Sequence, residues 1–134
     1  MARGFRNCVV WRKVVEFRNY IYELAGRMRL EDSHIVIDMR NTVDILVFGI
    51  MMAYEYMDEE SVLECLNNSR GKAARLSSLI SPLVSGKYLT GLEMEEVQAL
   101  IGGIVMNLDI MVEQVKSGKF FKDERDVFDE LDEL

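Results

Sequence analysis

A chain of 134 residues can bury one sizeable core and is too short for two ordinary domains. Its 49% apolar and 29% charged residues exclude a disordered polypeptide, and its single histidine excludes most His-based catalysis and any His-rich metal site. The net charge of −7 is uneven: residues 1–29 carry seven Lys/Arg against two Glu, residues 30–118 six against fourteen acids, and residues 119–134 three against seven.

In chain order, four segments repeat apolar residues at alternating steps of four and three, the seam of helices that cross at small angles. The first stripe is Val10, Val14, Phe17, Ile21, Leu24 and Met28. A short polar link near Leu30 to Ser33 leads to the second, Met39, Val43, Leu46, Ile50, Ala53 and Met57. The third is Val62, Leu66, Ser69, Ala73, Leu76, Ile80 and Leu83, and the fourth Val97, Ile101, Ile104, Leu108, Met111 and Val115. Four stripes of similar length on short links predict an all-α, antiparallel up-down-up-down four-helix bundle over residues 1–118, with an acidic C-terminal appendage at 119–134.

The boundaries agree with this count. Asp58 ahead of Glu59, Glu60 and Ser61 reads as an N-cap with acids in the first turn, and Thr90 to Glu93 has capping-box spacing. Ser85-Gly86 and Ser117-Gly118 read as helix stops, and Pro82 predicts a kink or change of pitch at the end of the third helix. In the tail, Phe120, Phe121, Val127, Phe128, Leu131 and Leu134 stand among acidic residues, as in a short docking helix, a partner-binding motif or a solvated tail.

Two segments hold more apolar surface than a seam uses: Ile45 to Met52, and Ile101 to Met106 around Gly102-Gly103. No helix of a four-helix bundle is central, so Phe48, Met51, Met52, Val105 and Met106 are expected at a subunit interface. Gly102-Gly103 reads as a close helix approach rather than a phosphate loop, since no strand precedes it. The apolar run Ile45 to Tyr54 is about half of what a membrane span needs, and Met1 to Arg6 is not followed by a signal-peptide core. A reducing, cytoplasmic setting is expected, with Cys8 and Cys65 as buried thiols.

Chemistry-bearing constellations are few. Arg29 and His34 match the loose Arg-x4-His spacing of HEPN-type ribonucleases, in which the pair polarises a 2′-hydroxyl and protonates the leaving group. Glu95-Glu96 and Asp58-Glu59-Glu60 sit at helix starts, where the helix dipole accounts for them, and no Glu-x-x-His motif marks a di-metal bundle. Neither cysteine has Cys-x-x-Cys spacing, so no metal and no cofactor are expected. Arg3, Arg6, Arg12, Lys13 and Arg18, with a smaller set of Arg70, Lys72 and Arg75, form the candidate nucleic-acid footprint, beside which Trp11 could stack on a base.

The opening Phe5-Arg6-Asn7-Cys8-Val9-Val10-Trp11-Arg12-Lys13, the continuation Ile21-Tyr22-Glu23-Leu24, the stretch Ser69 to Leu76 and the turn Gly86-Lys87-Tyr88-Leu89 resemble one family. It comprises the small bacterial four-helix bundle proteins encoded in intervening sequences of the large ribosomal RNA gene, together with the accessory variability proteins of diversity-generating retroelements. The chain resembles a divergent member: the family's Asn-Ile-Ala-Glu-Gly motif is absent from Val43 to Ala53, and Lys72 and Arg75 stand where Ser and Glu are usual. The resemblance implies a homopentamer and, in the retroelement branch, a reverse transcriptase and its RNA as partners. The expected function is a non-catalytic, homo-oligomeric accessory or scaffold protein with no membrane and no small-molecule substrate, the alternative being the ribonuclease.

Overall fold

The computed structural model describes residues 9–121. They form a four-helix bundle of α1 (Val9–Gly26), α2 (Ser33–Glu55), α3 (Glu59–Ile80) and α4 (Gly91–Lys116), with single 3-10 turns at Leu30–Asp32, Ser81–Leu83 and Lys119–Phe121. No helix among the described residues is long and apolar enough to cross a membrane.

α3 and α4 begin where a side chain satisfies their first free amides. Asp58 accepts from the Ser61 amide at 2.9 Å, and Thr90 and Glu93 close a reciprocal capping box at 3.1 and 3.0 Å. Those bonds hold both carboxyl groups below the ordinary range, Asp58 through the Ser61 bonds and Glu93 through the Thr90 amide first. Pro82 changes the pitch: α3 stops at Ile80 and continues as the 3-10 turn. The backbone then reverses at Lys87, whose φ is 65°, and not at Gly86. Gly86 is small for another reason, since a Cβ there would lie 3.2 Å from the Tyr88 ring. After α4, Gly118 does take the left-handed conformation expected of it, with φ 82°.

The four stripes converge on one core. Val10, Val14, Phe17, Ile21 and Leu24 from α1 meet Met39, Val43, Leu46, Ile50 and Ala53 from α2, and α3 and α4 supply the other half. Met57 is the exception: α2 ends at Glu55, and the extended backbone at Tyr56 carries Met57 out to solvent at 73% exposure. Packing continues past Gly118, where Phe120 is buried with its ring 5.0 Å from that of Tyr54.

The helices pack as a square. α1 lies on α2 and α4, and α3 lies on α2 and α4, so α2 and α4 occupy opposite corners. α2 and α3 come close together at Gly49, where a Cβ would lie 3.1 Å from the Cys65 carbonyl and 2.2 Å from Ser69 Oγ. The expected approach at Gly102-Gly103 is not made among the described residues, where nothing lies within 4 Å of either position.

Candidate functional site

The outward sides of α2 and α4 carry a second set of apolar residues, one half-turn from the seam. On α2, Ile37, Ile45 and Phe48 are exposed, Phe48 to 59%. On α4, Leu92, Leu100, Met106 and Ile110 are exposed, Met106 to 63%. Of the expected interface residues, Phe48 and Met106 are therefore exposed. Met51, Met52 and Val105 are half-buried, and Val105 packs partly on the core. Ile37, Leu92, Leu100 and Ile110 escaped sequence reasoning because only the helix phase joins them into a stripe with Phe48 or Met106.

Because α2 and α4 are diagonal, the two apolar faces point away from each other. Gly102 is exposed within the α4 face, so that the backbone there is open to close approach from outside.

The basic residues meet different fates. Arg18 Nε donates to Asp44 Oδ1 at 2.8 Å, and the Tyr22 hydroxyl donates to the other oxygen of the same carboxylate. The guanidinium carbons of Arg18 and Arg40 lie 4.2 and 5.4 Å from the centre of the Tyr22 ring. The bond to Asp44, with burial second, pushes the Tyr22 phenol up from its usual value. Arg75 grips Asp38 through two bonds of 2.6 and 3.3 Å, and Arg70 reaches Asp109 at 2.8 Å. Arg18, Arg70 and Arg75 thus spend their charge on carboxylates of α2 and α4, a pairing that residue spacing along one helix cannot reveal. Arg12 and Lys13 remain exposed near the start of α1, and Lys72 is half-buried. Trp11 is half-buried on a shallow depression of about 340 Å³ lined also by Arg12, Val15, Glu16 and Asn19. Arg3 and Arg6 lie outside the described residues.

Arg29 works as a tie between the two connections at the far end of the bundle. Its Nη2 donates to the Gly86 carbonyl at 3.1 Å, its guanidinium stacks 4.5 Å from the Tyr88 ring centre, and its backbone amide donates to the Tyr88 hydroxyl at 3.0 Å. Further ion pairs run to Glu31 at 3.0 Å and Asp32 at 3.7 Å. His34 is exposed in the first turn of α2.

Cys65 is half-buried, not fully buried as expected, and lines a hollow of about 490 Å³ with Tyr56, Ser61, Glu64 and Asn68. Burial first, and then Glu64 and Asp58, push its thiol up, which disfavours a nucleophilic thiolate. Cys8 lies outside the described residues, and no group of three His, Cys, Asp or Glu among the described residues could hold a metal ion.

Comparison with known proteins returned no matching family model, no matching curated protein and no matching solved structure.

Proposed function

We propose that this chain is a non-catalytic helical scaffold that assembles with copies of itself through the outward faces of α2 and α4. The observation that carries the reading is the pair of exposed apolar faces on diagonal helices, Ile37, Ile45 and Phe48 on one and Leu100, Met106 and Ile110 on the other. A two-fold contact between like faces covers one of them and leaves the other in water. A contact of α2 on one copy with α4 on the next covers both, and repetition of that contact closes a ring when the rotation permits.

Full burial of such a side chain contributes roughly 1.5–3 kcal/mol, and about half of that remains to be gained by residues already half covered. Six residues across one contact then offer on the order of 6 kcal/mol, close to the lower end of the roughly 4–15 kcal/mol that association costs. Single contacts are accordingly weak, and a closed ring, which adds one contact without adding a copy, is the favoured product. A ring of five agrees with the family resemblance, which also favours a reverse transcriptase or its RNA as the partner. The commitment of Arg18, Arg70 and Arg75 to carboxylates leaves less of the bundle surface suited to RNA, so assembly carries the reading and RNA does not.

Light scattering at micromolar to tens of micromolar concentration tests it. The expected mass is a fixed multiple of 15.5 kDa, reduced to the monomer by Phe48→Glu with Met106→Glu. A monomer across that range, or a double variant that assembles as before, overturns the proposal.

A further inference from the structure

Arg40 is held in place and left uncommitted. It is half-buried on the side of α2 that faces α1, with its guanidinium over the Tyr22 ring. Asp44, the carboxylate one turn on, is taken by Arg18 and Tyr22. The Arg40 side chain makes no hydrogen bond or ion pair among the described residues, and its Nε is shut off from water. A buried donor in that state gains most from a carboxylate, the acceptor that matches a guanidinium edge.

α4 carries such a carboxylate. Glu96 is exposed and makes no side-chain bond or ion pair among the described residues. It lies toward α1 as well: the Tyr20 phenol of α1 is pushed up by burial first and then by Glu93, with Glu96 adding to the rise.

Two routes through the bundle compare the heights of Arg40 and Glu96. α1 and α3 each run opposite to α2 and α4. Through α1, Arg40 is level with Tyr22, two residues beyond the Tyr20 that feels Glu93 and Glu96, which places Arg40 near Glu93. Through α3, Leu46 accepts from Ser69 and Ser77 bonds to Gln98, which places Arg40 near Leu100. Glu96 falls between the two. α2 and α4 also run in the same direction, and a ring whose axis lies along the bundle turns one copy into the next without tipping it. α2 then meets the neighbour's α4 parallel, at the heights the two helices have within one chain, with the α1 sides of both along one rim.

We propose that copies of this chain meet with α2 of one parallel to α4 of the next, in the register that sets Arg40 against Glu96, and that this ion pair fixes the direction and register of the contact. In that register Phe48, eight residues beyond Arg40, comes to Gly103, seven beyond Glu96, where nothing among the described residues lies within 4 Å. Exposed Ile37 comes to Leu92, and Ile45 to Leu100. Reversing α4 about Phe48 and Gly103 would instead bring Glu55 level with Glu96 and Asp38 level with Glu113, acid with acid. This register rests on the α2-to-α4 assembly proposed above and adds the residue that decides how copies face each other.

Light scattering of the full chain over a concentration series tests it. Arg40→Glu and Glu96→Arg are each expected to raise the concentration of half-assembly at least tenfold, and 1 M salt to shrink that loss. Both changes in one chain should return it to within threefold of the unaltered value. Glu23→Arg, exposed on the outer side of α1, controls for net charge. Glu96 is exposed, so its reversal reads the pair without disturbing the fold. A disulfide gives a second readout, in a chain with Cys8→Ser and Cys65→Ser. Ile37→Cys with Leu92→Cys should link copies on oxidation, whereas Ile37→Cys with Gln114→Cys, the reversed arrangement, should not. An unaltered chain that stays monomeric at every concentration overturns the assembly and the register together. If the unaltered chain assembles, three results overturn the register alone: a Glu96→Arg variant that assembles equally well, a double variant as weak as the single ones, or linkage through Gln114 in place of Leu92.

Discussion

Ser69 Oγ and the hydrogen of Gly49 share one small space between α2 and α3. The hydroxyl donates to the Leu46 carbonyl at 2.9 Å, and a Cβ on Gly49 would stand 2.2 Å from it. The serine is fully buried in an otherwise apolar stripe of α3, so its bond to a helix carbonyl is what makes its burial tolerable. Gly49→Ala is expected to destabilise the fold, because overpacking costs about 1–3 kcal/mol and alanine recovers only about 1 kcal/mol of helix propensity. Ser69→Ala alone should cost about 1 kcal/mol. The two together should cost less than their sum, since removing the hydroxyl makes room for the methyl, leaving only the 3.1 Å approach to the Cys65 carbonyl. Urea denaturation of the four proteins measures the coupling, and strict additivity would show that the two positions do not share space.

The seams were legible because a bundle core repeats every three and four residues. Val14, Ile21, Leu46, Leu66 and Leu108, named from spacing alone, are all fully buried. Met57 fits the same arithmetic and is exposed, because the Asp58 cap for α3 fixes where the next helix starts and forces Tyr56 to be extended. The apolar surplus on α2 and α4 is visible as a run, yet which members face water depends on helix phase: Phe48, Met106 and Ile110 are exposed, while Met51, Met52 and Val105 are half-buried. Arg18, Arg70 and Arg75 show the harder limit. Their carboxylate partners lie 26, 39 and 37 positions away, and only the packing of whole helices brings them together.

At Lys87 a non-glycine residue holds φ at 65°, a conformation that costs an L-residue roughly 1–2 kcal/mol. Lys87→Gly removes that strain and gives back some of it as greater freedom of the unfolded chain. A net stabilisation of about 0.5–1 kcal/mol is expected, seen as a higher melting temperature. Gly86→Ala, one residue earlier, should instead destabilise by crowding the Tyr88 ring.

Tyr20, Tyr22 and Tyr88 all have phenols pushed above their ordinary value of about 10, Tyr20 and Tyr88 chiefly by burial and Tyr22 chiefly by its bond to Asp44. A group whose pKa is raised by folding holds its proton more tightly in the native state. Its stabilising contribution is complete below about pH 10 and is lost as pH rises through the native value. The urea midpoint should therefore fall as pH rises above about 10, and Tyr22→Phe should make that fall shallower. An unchanged slope in the variant would remove Tyr22 from the account.

The ribonuclease alternative makes a separate demand. Arg29 is held by the Gly86 carbonyl, the Tyr88 ring and two carboxylates at the link between α1 and α2. Purified protein incubated with mixed single-stranded RNA is expected to leave it intact, and Arg29→Lys to loosen this end of the bundle, lowering the melting temperature without altering the RNA. Cleavage that disappears in His34→Ala would overturn the non-catalytic reading.

Diagonal apolar faces also make assembly testable by complementation. Phe48→Glu places a charge on the α2 face and leaves the α4 face whole, and Met106→Glu does the reverse. If copies join α2 to α4, each variant alone lacks one half of every contact and stays at the monomer mass. A mixture restores a single good contact, between the α4 face of the first variant and the α2 face of the second, and growth stops there because both outer faces of the pair carry glutamate. Light scattering should then give twice 15.5 kDa for the mixture and no larger species, at concentrations well above those at which the unaltered chain forms its full assembly, because a lone contact lacks ring closure. Like-to-like association gives a different pattern: one variant assembles as the parent does, the other does not, and mixing rescues nothing. A burden of glutamate that merely unfolded the chain would abolish the pair as well, so a two-chain mass in the mixture certifies both folding and the α2-to-α4 contact.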